Sequence, residues 1–358
     1  MIGLLLGAGA SFGSQQSDAP PLGPGLYAAI KDNSIGPRRR VWKEAHECRS
    51  VVDYLSPSNS KVTESISVDQ WVGEVSTVAR TLFENGKFEQ GMLVLKDAIA
   101  NSRSERQSIK GASFMIPGDD QLDIGLPEKI MRAVAEHLYS FTPSDDNLFR
   151  TVLAALPDGA GIFTLNYDSL IELVAAEQRV NLVEHSVVRK PYLSHPSKSV
   201  TYVQLHGGVT LCSMWSHFRP GIPGLISHSD VERISRRVYI SKDLRFDLDV
   251  EEYNDNLRDL AALSFYNPEK SNVIAPDVFD AFHNLYSKLV TTKLTKLIVV
   301  GCSYTPHDTH IWNAVAQFPG EIYWCGTVPD QSAFSKRIID LGPLFSSSIG
   351  EIMSHIEG

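Results

Sequence analysis

With 358 residues, 43% of them hydrophobic and 21% charged, the chain has the composition of a folded protein, long enough for one large domain with insertions or two modest ones. Its net charge of −9, from 33 basic against 42 acidic residues, offers no general field for nucleic acid or anionic lipid, so neither is expected as a direct partner. There is no run of about 18 apolar residues that would span a membrane. Arg38-Arg39-Arg40 and Arg236-Arg237 read as solvated faces or subunit contacts. Cys48, Cys212, Cys302 and Cys325 are scattered, without a Cys-x-x-Cys pair, so no metal site is expected. Few, unpatterned cysteines and no export signal predict a cytoplasmic location.

The chain opens on Ile2–Leu6, an apolar run predicting a buried strand, which breaks into Gly7-Ala8-Gly9-Ala10-Ser11. Glycines one residue apart allow a tight turn with no Cβ in the way of a phosphate. The stretch from Gln15 to Gly25 is rich in proline and glycine and reads as a mobile loop over a pocket, not a regular helix. Residues 38 to 150 change texture: Trp42–Tyr54, Val68–Phe83, Phe88–Ile99 and Pro127–Phe141 look helical, predicting a helical insertion.

Gly161–Leu165 predicts a second strand, followed by a helix carrying Leu170, Ile171, Leu173 and Val174, with Asp168 or Ser169 as cap and Ser169/Glu172 matching a capping box. Val200–Leu205 predicts a strand ending at His206-Gly207-Gly208, and residues 212–275 an irregular subdomain. Leu294–Val300 is the cleanest strand and ends in Gly301-Cys302-Ser303. A helix from about His307 to Gln317, a last strand Ile322–Cys325 before Gly326, and a helix around Ser332–Leu341 complete the chain. Alternating strand, turn and helix predict an α/β fold, a Rossmann-like parallel sheet with helices on both faces, within a single domain over 1–358.

In such a sheet, ligands bind beyond the carboxyl ends of the strands. Here those ends read Gly7-Ala8-Gly9-Ala10-Ser11, Thr164-Leu165-Asn166-Tyr167-Asp168, His206-Gly207-Gly208, Gly301-Cys302-Ser303 and Cys325-Gly326-Thr327. Singly, each has an ordinary explanation: Asp168 as a helix cap, His206 as a satisfied structural residue. Jointly they predict one ligand site. A dehydrogenase fingerprint fails, because no regular helix follows the glycine turn and the third glycine is displaced to Gly13.

The glycine turn with Ser11, then Thr164-x-Asn166-x-Asp168, then His206-Gly207, then Gly301-x-Ser303 with Asp308 soon after, resembles the sirtuin-like family. Most similar are its prokaryotic NAD hydrolases of antiphage defence, in spaced blocks from Leu4 to about Thr327. The resemblance implies that Gly7, Ala8, Gly9 and Ser11 cradle the pyrophosphate. It implies that Asn166 holds the nicotinamide ribose and helps place water, with Asp168 supporting the pocket, and that His206 is the general base. Gly301 and Ser303 then meet phosphate or the adenosine ribose, Thr327 lies near the adenine, and Thr164 joins the cofactor-binding group. Asp308 matches a recurrent family acid but is read as a helix cap. The four-cysteine zinc module of the family's deacylases is missing, since only Cys212 follows the His-Gly strand, and Leu165 stands where they carry Gln.

These departures favour plain cleavage of NAD over removal of acyl groups from lysine. Nicotinamide leaves as a neutral group from a cationic ring, through an oxocarbenium-like ribosyl species. His206 can take the proton from the attacking water. NAD is thus expected as substrate, with no prosthetic group. The alternatives are a non-catalytic module binding NAD or ADP-ribose, and an ADP-ribosyl transferase. The resemblance further implies a homo-oligomer and an activating partner protein encoded separately.

Overall fold

A computed structural model of the chain describes residues 1–22, 81–82, 137–138, 141–183, 196–213, 238–240, 260–263, 276–306 and 308–358. Two compact units divide the chain: Met1–Pro20, Leu138–Ser264 and Ser271–Gly358 form one, and Pro21–His137 with Phe265–Lys270 the other. Almost all of the second unit, and with it most of the expected helical insertion, lies outside the described residues. The architecture below is that of the first unit.

In chain order its elements are β1 (Ile2–Leu6), α1 (Ala8–Phe12), α2 (Leu148–Ala155), β2 (Gly161–Thr164), α3 (Leu170–Glu177), β3 (Val180–Val183), β4 (Lys198–Gln204) and β5 (Gly207–Ser213). Then come β6 (Val238–Ile240), β7 (Leu260–Leu263), α4 (Pro276–Thr292), β8 (Lys296–Val300), α5 (Thr309–Ala316), β9 (Glu321–Cys325), β10 (Ile338–Gly342) and α6 (Phe345–Glu357). Seven of the strands form one parallel sheet in the order β10-β9-β8-β1-β2-β4-β3. β1 and β8 sit at its centre, and their continuous apolar runs follow from burial on both faces. Leu4, Leu5, Leu297, Ile298 and Val299 are all at most 1% exposed.

From β1 the chain winds outward through β2 to the edge strand β3 and returns to place β4 between them; from β8 it winds the opposite way through β9 to β10. Right-handed crossovers put α3, between β2 and β3, and α5, between β8 and β9, on opposite faces of the sheet. The contacts agree with that division: α2 packs on α3 and α6, with Phe149 against Phe345, whereas α4 packs on α5 and under β4. Tyr286 of α4 meets Phe163 of β2 edge-on at 5.0 Å between ring centroids. The crevice between β1 and β8, where winding reverses, is the switch point of this sheet.

Several predicted elements take a different form. Residues 332–341 are not a helix: a 3-10 turn at Gln331–Ala333 leads into β10, parallel to β9. Phe334, Ile338 and Leu341 are buried at a spacing that a helix would also give, and β10 carries a register shift between Asp340 and Gly342 that disturbs the two-residue alternation of a strand. β9 is therefore not the last strand. Between 207 and 263, β5 pairs antiparallel with β6 and β7 in a three-stranded sheet, so part of the region read as irregular is ordered. The Ser169/Glu172 capping box does not form. Ser169 makes no side-chain cap bond, and the Asp168 carboxylate instead accepts from the Leu170 amide at 3.1 Å. No helix among the described residues is long and apolar enough to cross a membrane.

Candidate functional site at the carboxyl edge of the sheet

The carboxyl ends of five strands are level. Gln204, Thr164, Leu6, Val300 and Cys325 are mutual register partners across β4, β2, β1, β8 and β9. Beyond them one more row of backbone bonds crosses the edge: Leu205 N–H to Thr164 C=O, Leu165 to Leu6, Gly7 to Val300, Gly301 to Cys325 and Gly326 to Gly342, each at 2.8–2.9 Å. Among the residues singled out in the sequence, Gly7 and Gly301 lie in this row, and Ala8, Asn166, His206 and Thr327 follow directly after it.

At the centre the Gly7–Gly9 turn and the Gly301 turn are pressed together. Gly301 has φ +63°, and a Cβ there would collide with the backbone of Gly9 and Ala10. A Cβ on Gly7 would come within 2.6 Å of the Gly301 carbonyl oxygen and 2.7 Å of the Cys302 Cα. The Gly9 N–H donates to the Gly301 carbonyl at 2.9 Å. The amides of Gly7 and Gly9 are therefore engaged with β8 and its turn, and the absence of side chains serves first the meeting of two turns. Ala8, at the crest, is exposed.

Ser11, Asn166 and Asp168 form a buried network beside these turns, at 1%, 5% and 7% exposure. The Asn166 amide donates to Ser11 Oγ at 2.8 Å, and the Ser11 hydroxyl in turn donates to the Asp168 carboxylate. Thr164 positions the loop by accepting the Asn166 backbone N–H on its Oγ1 at 3.0 Å. A chain of donors running from amide to hydroxyl to carboxylate polarises each bond in the same sense. Burial raises the Asp168 carboxyl above its ordinary value, against bonds from Ser11 and the Leu170 amide that favour its charge. Asn166 Oδ1 is buried and has no hydrogen-bond partner among the described residues.

His206 lies just past β4 and is 6% exposed. Its ring stands 5.4 Å from that of His310, and His310 stands 4.2 Å from His283 on α4. Asp308 joins them: ligand-capable atoms of His206, Asp308 and His310 all lie within 4.8 Å of one another. β4 and β8 are separated by β1 and β2, so their ends are roughly 14 Å apart at normal strand spacing. The segment after β8 thus reaches back across the edge, and α5 delivers His310 to the end of β4. Asp308 occupies the N-cap position of α5 by its backbone, yet its side chain makes no cap bond and accepts from Thr305 Oγ1 at 2.6 Å. The expectation of a plain capping aspartate does not hold for its carboxylate.

Gly301 borders this edge, and Ser303 and Thr327 are exposed on the loops after β8 and β9. Cys302 is buried and burial pushes its thiol far above the ordinary value, so it is no thiolate nucleophile. The segment after Ser11 is anchored over its first half. Gln15 Oε1 accepts from the Ser144 amide at 3.0 Å and from Asn147 Nδ2 at 2.7 Å, and its Nε2 donates to the Asp18 carbonyl at 2.8 Å. Residues 23–25 of the expected loop lie outside the described residues.

His283, His310 and Glu172 were not among the predicted site residues. His310 carries a local signal, Asp308-x-His310 shortly after a strand-end glycine; His283 carries none, lying in α4, which is not among the helices predicted above. Glu172 is 4% exposed and accepts from Gln204 Nε2 and Thr210 Oγ1, each at 2.9 Å. Burial lifts its carboxyl to about 7; its own backbone amide and Thr210 oppose the rise, while the neighbouring Asp168 charge adds to it. The chain matches no protein-family model, and no curated protein matches it.

Proposed function

We propose that this chain hydrolyses NAD at the nicotinamide–ribose bond. The observation that carries the proposal is Asn166: its amide is fixed on Ser11 while the residue is 5% exposed and its Oδ1 has no partner among the described residues. Such an oxygen costs about 1–3 kcal/mol unless a ligand donor fills it. A ribose hydroxyl or the attacking water fits that need. The resemblance of the strand-end motifs to sirtuin-like NAD hydrolases supplies the substrate.

In the reaction the C–N bond between ribose C1′ and the pyridinium breaks, and its electron pair leaves with nicotinamide. Water oxygen bonds to C1′ and gives up a proton, which the His206 imidazole receives and passes to solvent. Asn166 orients ribose and water. The Asp168 carboxylate, held through Ser11, keeps that amide in place and stabilises the positive charge developing on the sugar. The products are nicotinamide and ADP-ribose. By the same resemblance the protein acts as a toxic effector of antiphage defence, a homo-oligomer that depletes cellular NAD when a separately encoded partner activates it.

The test is NAD consumption by the purified chain, alone and with its activating partner. NAD falls in the wild type, and His206→Ala lowers the rate by about 10²–10⁴-fold, the usual contribution of a general base. NAD bound but never cleaved would identify a binding module, and NAD untouched by either preparation would end the proposal.

A further inference from the structure

We propose that His206, Asp308 and His310 bind one divalent first-row transition ion, with zinc the default, and that the ion holds the NAD site off. The first half stands on geometry alone. Its regulatory half rests on the functional reading above, through His206.

Three donor atoms, two imidazole nitrogens and a carboxylate oxygen, already lie within 4.8 Å of one another. Around a tetrahedral ion with bonds near 2.1 Å, ligand atoms stand about 3.4 Å apart, so side-chain adjustments on the order of 1 Å close the site. Two histidines with one carboxylate form a donor set suited to zinc, cobalt or ferrous iron, and leave at least one position open. Hard, oxygen-seeking ions such as magnesium or calcium are disfavoured by the imidazoles.

The surroundings hold the donors as outer partners hold metal ligands. Thr305 Oγ1 donates to the Asp308 carboxylate at 2.6 Å and helps to hold it in place. Asp308 is fixed at the head of α5 by its carbonyl, which accepts from the Ile311 and Trp312 amides at 2.9 and 3.0 Å. His283 packs on His310, and its own Nε2 is spent on the Leu205 carbonyl at 2.9 Å, one residue before His206. Such second partners fix ring orientation and raise affinity. His206 and Asp308 are buried and His310 half-buried, so an ion would enter past His310.

The consequence for turnover is direct. An imidazole nitrogen bound to a metal has no lone pair to accept a proton, so a metal-loaded His206 cannot act as the base.

The test is titration of untagged protein with cobalt(II), read by visible absorption. One equivalent per chain is expected to give the intense bands of a low-symmetry nitrogen–oxygen site. Affinity falls by on the order of 100-fold in His310→Ala and in Asp308→Asn, with melting curves confirming that each variant folds; His310→Gln serves if His310→Ala does not. Zinc competes the bands away. The rate of NAD loss in chelator, divided by that in zinc, is well above one for the wild type and near one for His310→Ala. Absence of bands in the wild type, or bands unchanged in both variants, overturns the site. Bands without any NAD cleavage leave the ion site standing and remove the functional reading; NAD cleavage without bands does the reverse.

Discussion

At the scale of single residues, the carboxyl edge is shaped by what cannot be present as much as by what is. Gly301, at φ +63° with the backbone of Gly9 and Ala10 where its Cβ would be, has no room for even a methyl group. Gly301→Ala must separate the two central turns, and thermal unfolding should show a loss of about 3 kcal/mol or more. Gly350 is the counter-example: it lies exposed within α6, and nothing approaches within 4 Å of its Cβ position. Gly350→Ala should stabilise the protein by up to about 1 kcal/mol, the helix preference of alanine over glycine. Glu172 adds a dependence on pH. Its carboxyl is lifted from 4.5 to about 7, so the folded state keeps a proton that the unfolded chain releases earlier. The associated stability is complete below about 4.5 and is lost as pH rises to about 7, on the order of 3 kcal/mol. Glu172→Gln mimics the protonated form, and its melting temperature should lose that slope while exceeding the wild type's at pH above 7. An unchanged slope would mean that Glu172 titrates normally.

At the scale of elements, α2 is tied to the segment that follows the glycine turn. Asn147 caps α2 by accepting the Phe149 amide at 3.0 Å, and its Nδ2 donates to Ser14 Oγ and Gln15 Oε1. The Leu148 N–H closes the join on the Ser14 carbonyl at 2.7 Å. Asn147→Ala should therefore cost more than an ordinary cap, about 2–3 kcal/mol in chemical denaturation, because buried Gln15 loses a partner as well. A cost below about 1 kcal/mol would show that α2 holds the segment without this bond. The same join gives the first half of this proline- and glycine-rich segment, which forms no helix over its described residues, a defined set of partners. Composition reports what the backbone cannot do, whereas one buried glutamine decides what it does.

At the scale of the whole molecule, the parts of the fold legible in the sequence are those with local causes. β1, β2, β4, β8 and β9 announce themselves as apolar runs ending in glycine or polar residues, and their alternation with helices implies the parallel sheet. β3 and β10 lie at the sheet's edges, where side chains are half exposed and the apolar pattern is diluted. The three-stranded sheet of β5, β6 and β7 depends on pairings between distant segments, which spacing along the chain does not encode. The site divides in the same way. Ser11, Asn166, Asp168 and His206 were readable because each follows a strand end, while His283 and His310 meet His206 only through the packing of α4 and α5. The proposed consumption of NAD at this edge is most directly tested by product release in heavy-oxygen water, with the activating partner present, for wild type and folded Asn166→Ala. Nicotinamide and ADP-ribose in equal amounts, the label on the ribose C1′ hydroxyl, and loss of both products in Asn166→Ala are the predicted result. Intact NAD, or release by Asn166→Ala at the wild-type rate, would contradict it.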